Sequence, residues 1–319
     1  MKYIATLREG EKVGGIYLCK HKQTALTKNG KSYVNLILQD KTGTLDTKIW
    51  EPNSQGIDDF DVLDYIDVVG DVTSFQGALQ LNVKRVRKAR EEEYDPKDYL
   101  PVSEKEIDVM YQELVDFIDK MENPFLKQLA NSFFVEDAEF IKQFQFHSAA
   151  KVVHHGFVGG LLEHTLNVVK LCKFYTQAYP MLHKDLLIAS ALFHDIGKLY
   201  ELSAFPANDY TDEGQLLGHI MIGVELVGER IRQIPKFPSK LATELKHCIL
   251  SHHGELAFGS PKKPALAEAV ALSFADNTDA KLQTMKEAFA AAPYGSTDWL
   301  GYNRLFESNI RKTTEDYGK

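Results

Sequence analysis

Apolar and polar residues alternate along residues 13–88, and beyond residue 102 the apolar positions recur every three or four residues instead. Alternation marks half-buried strands, and the longer period marks helices with one apolar face. Gly14 to Lys20 and Ser32 to Leu38 read as strands flanking the turn-rich Thr27-Lys28-Asn29-Gly30-Lys31. Asp40-Lys41-Thr42-Gly43-Thr44 is a tight turn leading into a third strand, Leu45 to Trp50. Ile66 to Val72 and Leu79 to Val86, joined at Gln76-Gly77, complete five. Ser103-Glu104-Lys105-Glu106 has the form of a capping box and opens a helix whose apolar side carries Ile107, Met110, Leu114, Phe117 and Ile118. Helical segments are predicted from there to the end, punctuated by Asn123-Pro124, Pro180, Pro235, Pro238 and Gly259-Ser260-Pro261.

Five short strands in this order suggest a small barrel, and the stretch resembles an OB-fold. The run from Asp40 to Trp50, D-x-T-G-x-L-x-x-x-x-W, is the part most like the nucleic-acid-binding OB-folds. Glu91-Glu92-Glu93-Tyr94-Asp95-Pro96 is charged and ends in proline, as a linker would. The expected organisation is α+β and multidomain. An N-terminal five-stranded OB-like β-barrel occupies residues 1–90, a linker 91–102, a helical connector 103–150, and an all-α domain 151–319.

Charge sharpens this division. The whole chain carries a net −8, but residues 1–90 hold 14 Lys and Arg against 11 Asp and Glu, leaving 23 against 34 in the remainder. Affinity for a polyanion therefore has to be local, on a basic face of the first module. Lys20, Lys22, Lys28, Lys31, Lys84, Arg85, Arg87 and Lys88 supply candidate groove cations, and Tyr33, Trp50 and Phe75 could stack on bases. The barrel must fill its own interior, and Trp50 is the aromatic expected to do so. No stretch approaches a membrane span, no export signal is visible at Met1 to Glu9, and three scattered cysteines make no disulfide framework. A cytoplasmic protein is expected.

Chemistry concentrates in the helical half. His164, His194-Asp195, His219, His252-His253 and Asp276 each lie in or beside a helical segment. An otherwise apolar helix, Leu186 to Phe193, ends in His194-Asp195, and burying that pair requires partners for both groups; a metal is the usual one. Two imidazoles and two carboxylates can enclose one divalent cation. If Asp195 bridges, it can share a second cation with His219 and one of His252 and His253. Ions about 3.5–4 Å apart activate water and clamp a phosphoryl group. Lys198, three residues from Asp195, shares that helix face and can meet a phosphate oxygen. His154 and His155 precede a Gly-Gly turn, where His155 is a candidate general acid or ligand-orienting group, and Glu163 is a further candidate for the cluster.

The order H…HD…H…HH…D is similar to that of the HD-domain metal-dependent phosphohydrolases over roughly residues 150–290. Joined to an OB-like module, and with Val152 to Thr165 and Trp299 to Arg304 as further matches, the chain resembles the YhaM family of bacterial 3′→5′ exoribonucleases. That resemblance implies a hydrolase that removes nucleoside 5′-monophosphates from the 3′ end of single-stranded RNA, with single-stranded DNA as an alternative substrate. It also implies two divalent ions: Mn²⁺ foremost, with Fe²⁺, Co²⁺ or Ni²⁺ as alternatives. Carried over, His164, His194, Asp195 and Asp276 hold one ion, and Asp195, His219 and His252 or His253 the other. The competing reading is an HD nucleotidase or cyclic-nucleotide phosphodiesterase with a regulatory barrel; the GYP element of the cyclic-dinucleotide branch has no counterpart at Gly197-Lys198-Leu199-Tyr200.

Overall fold

The computed structural model describes residues 2–151, 155–290, 292 and 298–314. They form two compact units, residues 1–102 with 204–208 and residues 103–203 with 209–319. The first is a closed barrel of β1 (Lys12–Leu26), β2 (Ser32–Asp40), β3 (Gly43–Ile49), β4 (Tyr65–Phe75) and β5 (Ala78–Lys88). Strands follow the order β1-β2-β3-β5-β4 around it, and closure between β3 and β5 is parallel, pairing Asp46 with Gln80 and Lys48 with Asn82. This is the five-stranded OB arrangement.

Alternation decides what fills the barrel. Leu36 and Leu38 of β2, Leu45, Thr47 and Ile49 of β3, and Leu81 and Val83 of β5 point inward and are buried. Trp50 follows Ile49 and so falls on the outer face, 48% exposed, contrary to the core position expected of it. Its ring stacks on Tyr33, with centroids 5.1 Å apart, and its Nε1–H donates to Asn82 Oδ1 at 2.9 Å. Period two offers no third choice: with Ile49 inside, its neighbour is out. After β5 the chain stays on this unit, where Tyr94 stacks on Tyr65 and Tyr99 is buried edge-on to both.

Helices build the second unit: α1 (Ile107–Asp119), α2 (Pro124–Phe134), α3 (Ala138–Phe146), α4 (Gly160–Ala178), α5 (Lys184–Phe193), α6 (Lys198–Glu201), α7 (Asp212–Gln233), α8 (Ser239–Leu250) and α9 (Ala267–Ala290). Every residue of α5 from Asp185 to Phe193 is buried. A helix apolar on all sides must be surrounded, and α2, α4, α8 and α9 pack around it. Phe133, Phe134, Phe140, Phe144 and Phe193 interlock at one end of this core. No helix among the described residues is long and apolar enough to cross a membrane. All three cysteines are buried and free.

Two expectations fail here. The run at Ser103 is no capping box, because Glu106 occupies the N-cap of α1 without a side-chain bond, while Ser103 Oγ donates to Glu163 Oε2 at 2.6 Å. The Ser103 oxygen meanwhile accepts from the amide of Lys105, two residues on, so it caps a turn ahead of α1 and not the helix itself. Helix also does not run to the end, because β6 (Trp299–Asn303) and β7 (Ser308–Arg311) form an antiparallel hairpin. Trp299, Tyr302 and Ile310 favour a strand over a helix.

Burial gives the barrel a pH limit. Tyr17 is fully buried, its hydroxyl donates to the Lys2 carbonyl at 2.6 Å, and burial pushes its pKa up to about 12. A raised folded value favours the neutral phenol, so its contribution is complete below about pH 10 and lost as pH climbs toward 12. Tyr17→Phe should therefore cost about 1 kcal/mol near neutrality and flatten the alkaline fall in stability, measured by urea unfolding across that range.

Candidate metal centre

Backbone geometry delivers each donor to one place. Gly159, at φ +81°, turns the chain into α4 and sets His164 on its second turn. Helix α5 ends at Phe193, so His194 and Asp195 emerge from the apolar core at its C-terminus, and Lys198 opens α6. Gly197 lies where α7 crosses closely: a Cβ there would collide with the carbonyl oxygen of His219 and the amide of Gly223. Helix α7 is itself broken at Gly218 (φ +73°, ψ +156°). The break frees the amide of His219, which donates to Glu201 Oε1 at 3.0 Å, the same oxygen that takes its Nδ1–H at 2.9 Å. His252 and His253 occupy the turn after α8, and Asp276 lies on α9.

The imidazoles are oriented by a shared rule. Nδ1 of His164 meets Asp279 Oδ2 at 2.7 Å, Nδ1 of His194 the Ala191 carbonyl at 2.8 Å, and Nδ1 of His219 the Glu201 carboxylate. Nδ1 of His252 meets the Ile249 carbonyl at 2.7 Å, and Nδ1 of His253 the Phe258 carbonyl at 2.8 Å. All five partners are acceptors, so each Nδ1 carries the hydrogen and each Nε2 keeps a lone pair.

Those lone pairs converge. His164 Nε2 lies 3.2 Å from His194 Nε2, 3.2 Å from Asp276 Oδ1 and 3.4 Å from Asp195 Oδ2. On the other side, Asp195 Oδ1 lies 3.5 Å from His219 Nε2 and 3.6 Å from His252 Nε2. Acceptors this close repel unless a cation stands between them. Three of these atoms, Asp195 Oδ1, His219 Nε2 and His252 Nε2, are buried without a hydrogen-bond partner among the described residues. Ligands about 2.0–2.2 Å from an ion sit roughly 3–3.5 Å from one another, so the spacings fit divalent cations. Three groups could hold an ion; in one, His155, His164 and Asp279 are already bonded to one another, and the other two make up the donor set: His164, His194 and Asp276, and His219, His252 and His253. Asp195 turns one oxygen to each.

Electrostatics follows from the same contacts. Burial opposes charge on His164, yet without an ion Asp195, Asp276 and Asp279 outweigh it and raise its pKa well above the usual imidazole range, so a cation bound here would take the place of the proton on its Nε2. Asp195 is also wholly buried, but Lys198, His194 and His164 keep it ionised far below the usual carboxylate range. Burial, with His253 and His194 nearby, pushes His252 well down, keeping it neutral as a ligand must be. A cleft of about 790 Å³ opens above the cluster, with His164, Lys198, His252, His253 and Asp276 in its wall.

The remaining candidates fall as follows. Lys198 Nζ pairs with Asp195 Oδ2 at 2.7 Å and borders the cleft. Glu163 turns away, its oxygens taken by Ser103 and Lys105, so it stands apart from the donor cluster. His155 is fully buried behind the site; its Nε2 meets Asp279 Oδ2 at 2.9 Å, so it reaches the cluster only through that carboxylate. His154 lies outside the described residues. On the barrel, Lys22, Lys84, Arg87 and Lys88 are paired with Asp59, Asp71, Asp67 with Glu93, and Asp64. Lys20, Lys31 and Arg85 have no carboxylate partner among the described residues, and Phe75 is 62% exposed beside the β4–β5 turn. Sequence reasoning missed Asp279 and Glu201, the two carboxylates that orient His164 and His219 of the cluster. Their only signal was position, since Asp279 follows Asp276 by one turn of α9 and Glu201 follows Lys198 within α6.

Residues 161–281 match the family model of the HD domain. The chain also resembles solved structures. One is a chain of a replication protein A heterotrimer bound to single-stranded DNA (18% identity, 27% of this chain and 62% of that one, TM-score 0.21). Another is the second OB-fold domain of replication protein A from Methanococcus maripaludis (19%, 28% and 95%, 0.22). A third is the replication factor A related protein from Methanobacterium thermoautotrophicum (23%, 30% and 94%, 0.23). This chain therefore spans less than two thirds of the heterotrimer chain it matches. An HD domain indicates a metal-dependent phosphohydrolase, here following a closed barrel of OB topology.

Glu201→Gln and Asp279→Asn should each weaken divalent-metal affinity about 10- to 100-fold, measured by competition with a fluorescent chelator. Unchanged affinity in both would show that orientation of the rings is irrelevant to the site.

Proposed function

We propose that this protein is a 3′→5′ exoribonuclease that shortens single-stranded RNA to nucleoside 5′-monophosphates. The observation that carries the reading is the convergence of four imidazole Nε2 atoms, of His164, His194, His219 and His252, on the two oxygens of Asp195, beneath one cleft. His164, His194, Asp195 and Asp276 would hold one divalent ion, and Asp195, His219 and His252 the other, with Mn²⁺ the expected activator. His253, less buried than His252, borders the cleft beside this second group and can complete it. Bound divalent ions supply a water nucleophile at neutral pH and offset charge on the phosphoryl oxygens.

The chain's own residues do the rest. Asp195 joins the two donor groups, so losing it empties both. Lys198, fixed by Asp195, presents a cation to a non-bridging phosphate oxygen. His155 contributes to positioning: it donates to Asp279, which fixes the ring of His164. Residues 1–90 capture the strand. Tyr33 and Trp50 offer a stacked aromatic pair on the β2–β3 face, the face OB-folds use for oligonucleotides. Lys20, Lys28, Lys31 and Arg85 have no carboxylate partner among the described residues and can meet phosphates, and Phe75 lies near the β4–β5 turn. Lys22, Lys84 and Arg87 are already paired with carboxylates and contribute less.

The test incubates the protein with Mn²⁺ and 5′-labelled single-stranded RNA, a 3′-blocked copy, a DNA equivalent and nucleotides. Stepwise shortening that the 3′ block abolishes is the expected result; nucleotide turnover without shortening would transfer the reading to a nucleotidase. Asp195→Ala should reduce turnover to background while leaving RNA affinity mostly intact. Trp50→Ala should do the reverse, weakening capture about 5- to 100-fold by the usual worth of one stacked base, measured by fluorescence anisotropy.

A further inference from the structure

The cleft above the donor cluster has a second wall of different chemistry. Helix α9 presents Val270, Phe274, Asn277 and Lys281 at helical spacing along it, while Asp276, on the adjacent row, turns to the donors. Phe258 stands in the same cleft, carried by the turn whose backbone carbonyl holds His253. Leu305, in the turn between β6 and β7, borders it as well. Phe258 and Phe274, on separate elements but in one cleft beside a polar centre, are 68% and 62% exposed, so both rings are open to a ligand.

We infer that this wall is a base-binding subsite, in which Phe274 and Phe258 take the unpaired nucleobase of the 3′-terminal nucleotide while its phosphodiester lies against the donors. The inference rests on the exonuclease reading and deepens it. A ring face binds any base by stacking, and an apolar wall cannot satisfy a phosphate, so the two parts of a nucleotide sort between wall and floor. Charge agrees with that sorting. Lys281, one turn beyond Asn277, has no carboxylate partner among the described residues and can meet the next phosphate along the strand, while Lys263 is held by Glu255 at 2.6 Å. Of the α9 stripe only Asn277 has an amide to read a base edge, so the subsite tolerates every base but requires it to be unpaired. Preference for single strands would then originate at the catalytic cleft as well as at the barrel.

A single-stranded oligoribonucleotide carrying 2-aminopurine at its 3′ end tests this in two ways. Full-length protein is first titrated in EDTA, where quenching of the fluorophore reads stacking without turnover. The unsubstituted protein should quench it. Phe274→Ala should raise the half-saturation concentration about tenfold, and Phe274→Trp should restore binding. With Mn²⁺, cleavage of that strand is then compared with a copy whose two terminal bases are missing. Base-bearing ends should be preferred about tenfold, and Phe274→Ala should erase the preference. Absent quenching, or quenching and preference both unchanged by Phe274→Ala, would overturn the subsite. Quenching that depends on Phe274 without cleavage under any divalent metal leaves the subsite standing and removes the exonuclease reading. Equal cleavage of both ends does the opposite.

Discussion

Asp195 is a carboxylate with 2% of its side chain exposed, delivered to the interior by a helix that is apolar on every side. An isolated charge there would cost several kcal/mol after relaxation, so the fold must bring compensating groups to it. Lys198 supplies one from the following turn, His194 is the preceding residue, and His164, His219 and His252 approach from elements far apart in the chain. Lys198 and the His164 side answer Oδ2. Among the described residues Oδ1 is met by lone pairs alone, an imbalance that fits a cation site better than a satisfied salt-bridge network.

Holding five imidazoles with their lone pairs inward requires control of each ring's far side. Backbone carbonyls do this for His194, His252 and His253, and carboxylates for His164 and His219. The two means differ in consequence. A carbonyl fixes the tautomer, while a carboxylate also raises the basicity of the ring it holds. Glycines make room for these contacts: Gly197 lets α7 approach the turn after Asp195, and Gly218 breaks α7 so that His219 can use both of its donors on Glu201. Backbone placement therefore precedes, and permits, the chemistry of the cluster.

The barrel shows how ion pairing reshapes a surface that composition alone makes basic. Four of the eight candidate groove cations are engaged by neighbouring carboxylates. On the proposed reading a strand would meet the four that are left, Lys20, Lys28, Lys31 and Arg85, and the stacked Tyr33 and Trp50. Such binding would depend more on aromatic area than on net charge and would be correspondingly less sensitive to salt.

The five strands, the change to helical spacing after residue 102, and the ordered His and Asp positions were legible in the chain, because periodicity reports which face of an element is buried whatever covers it. The same local logic would have placed Trp50 outside had the inward set of β3 been read from Ile49. Asp279 and Glu201 could not be singled out among the acidic residues. Their roles depend on which imidazole lies opposite, and that pairing spans 115 residues for Asp279 and 18 for Glu201. Spacing along a helix says which side a carboxylate occupies. Only the packed arrangement of α4, α6, α7 and α9 says what it meets there, because partner choice is set by interhelical contact and not by sequence neighbours.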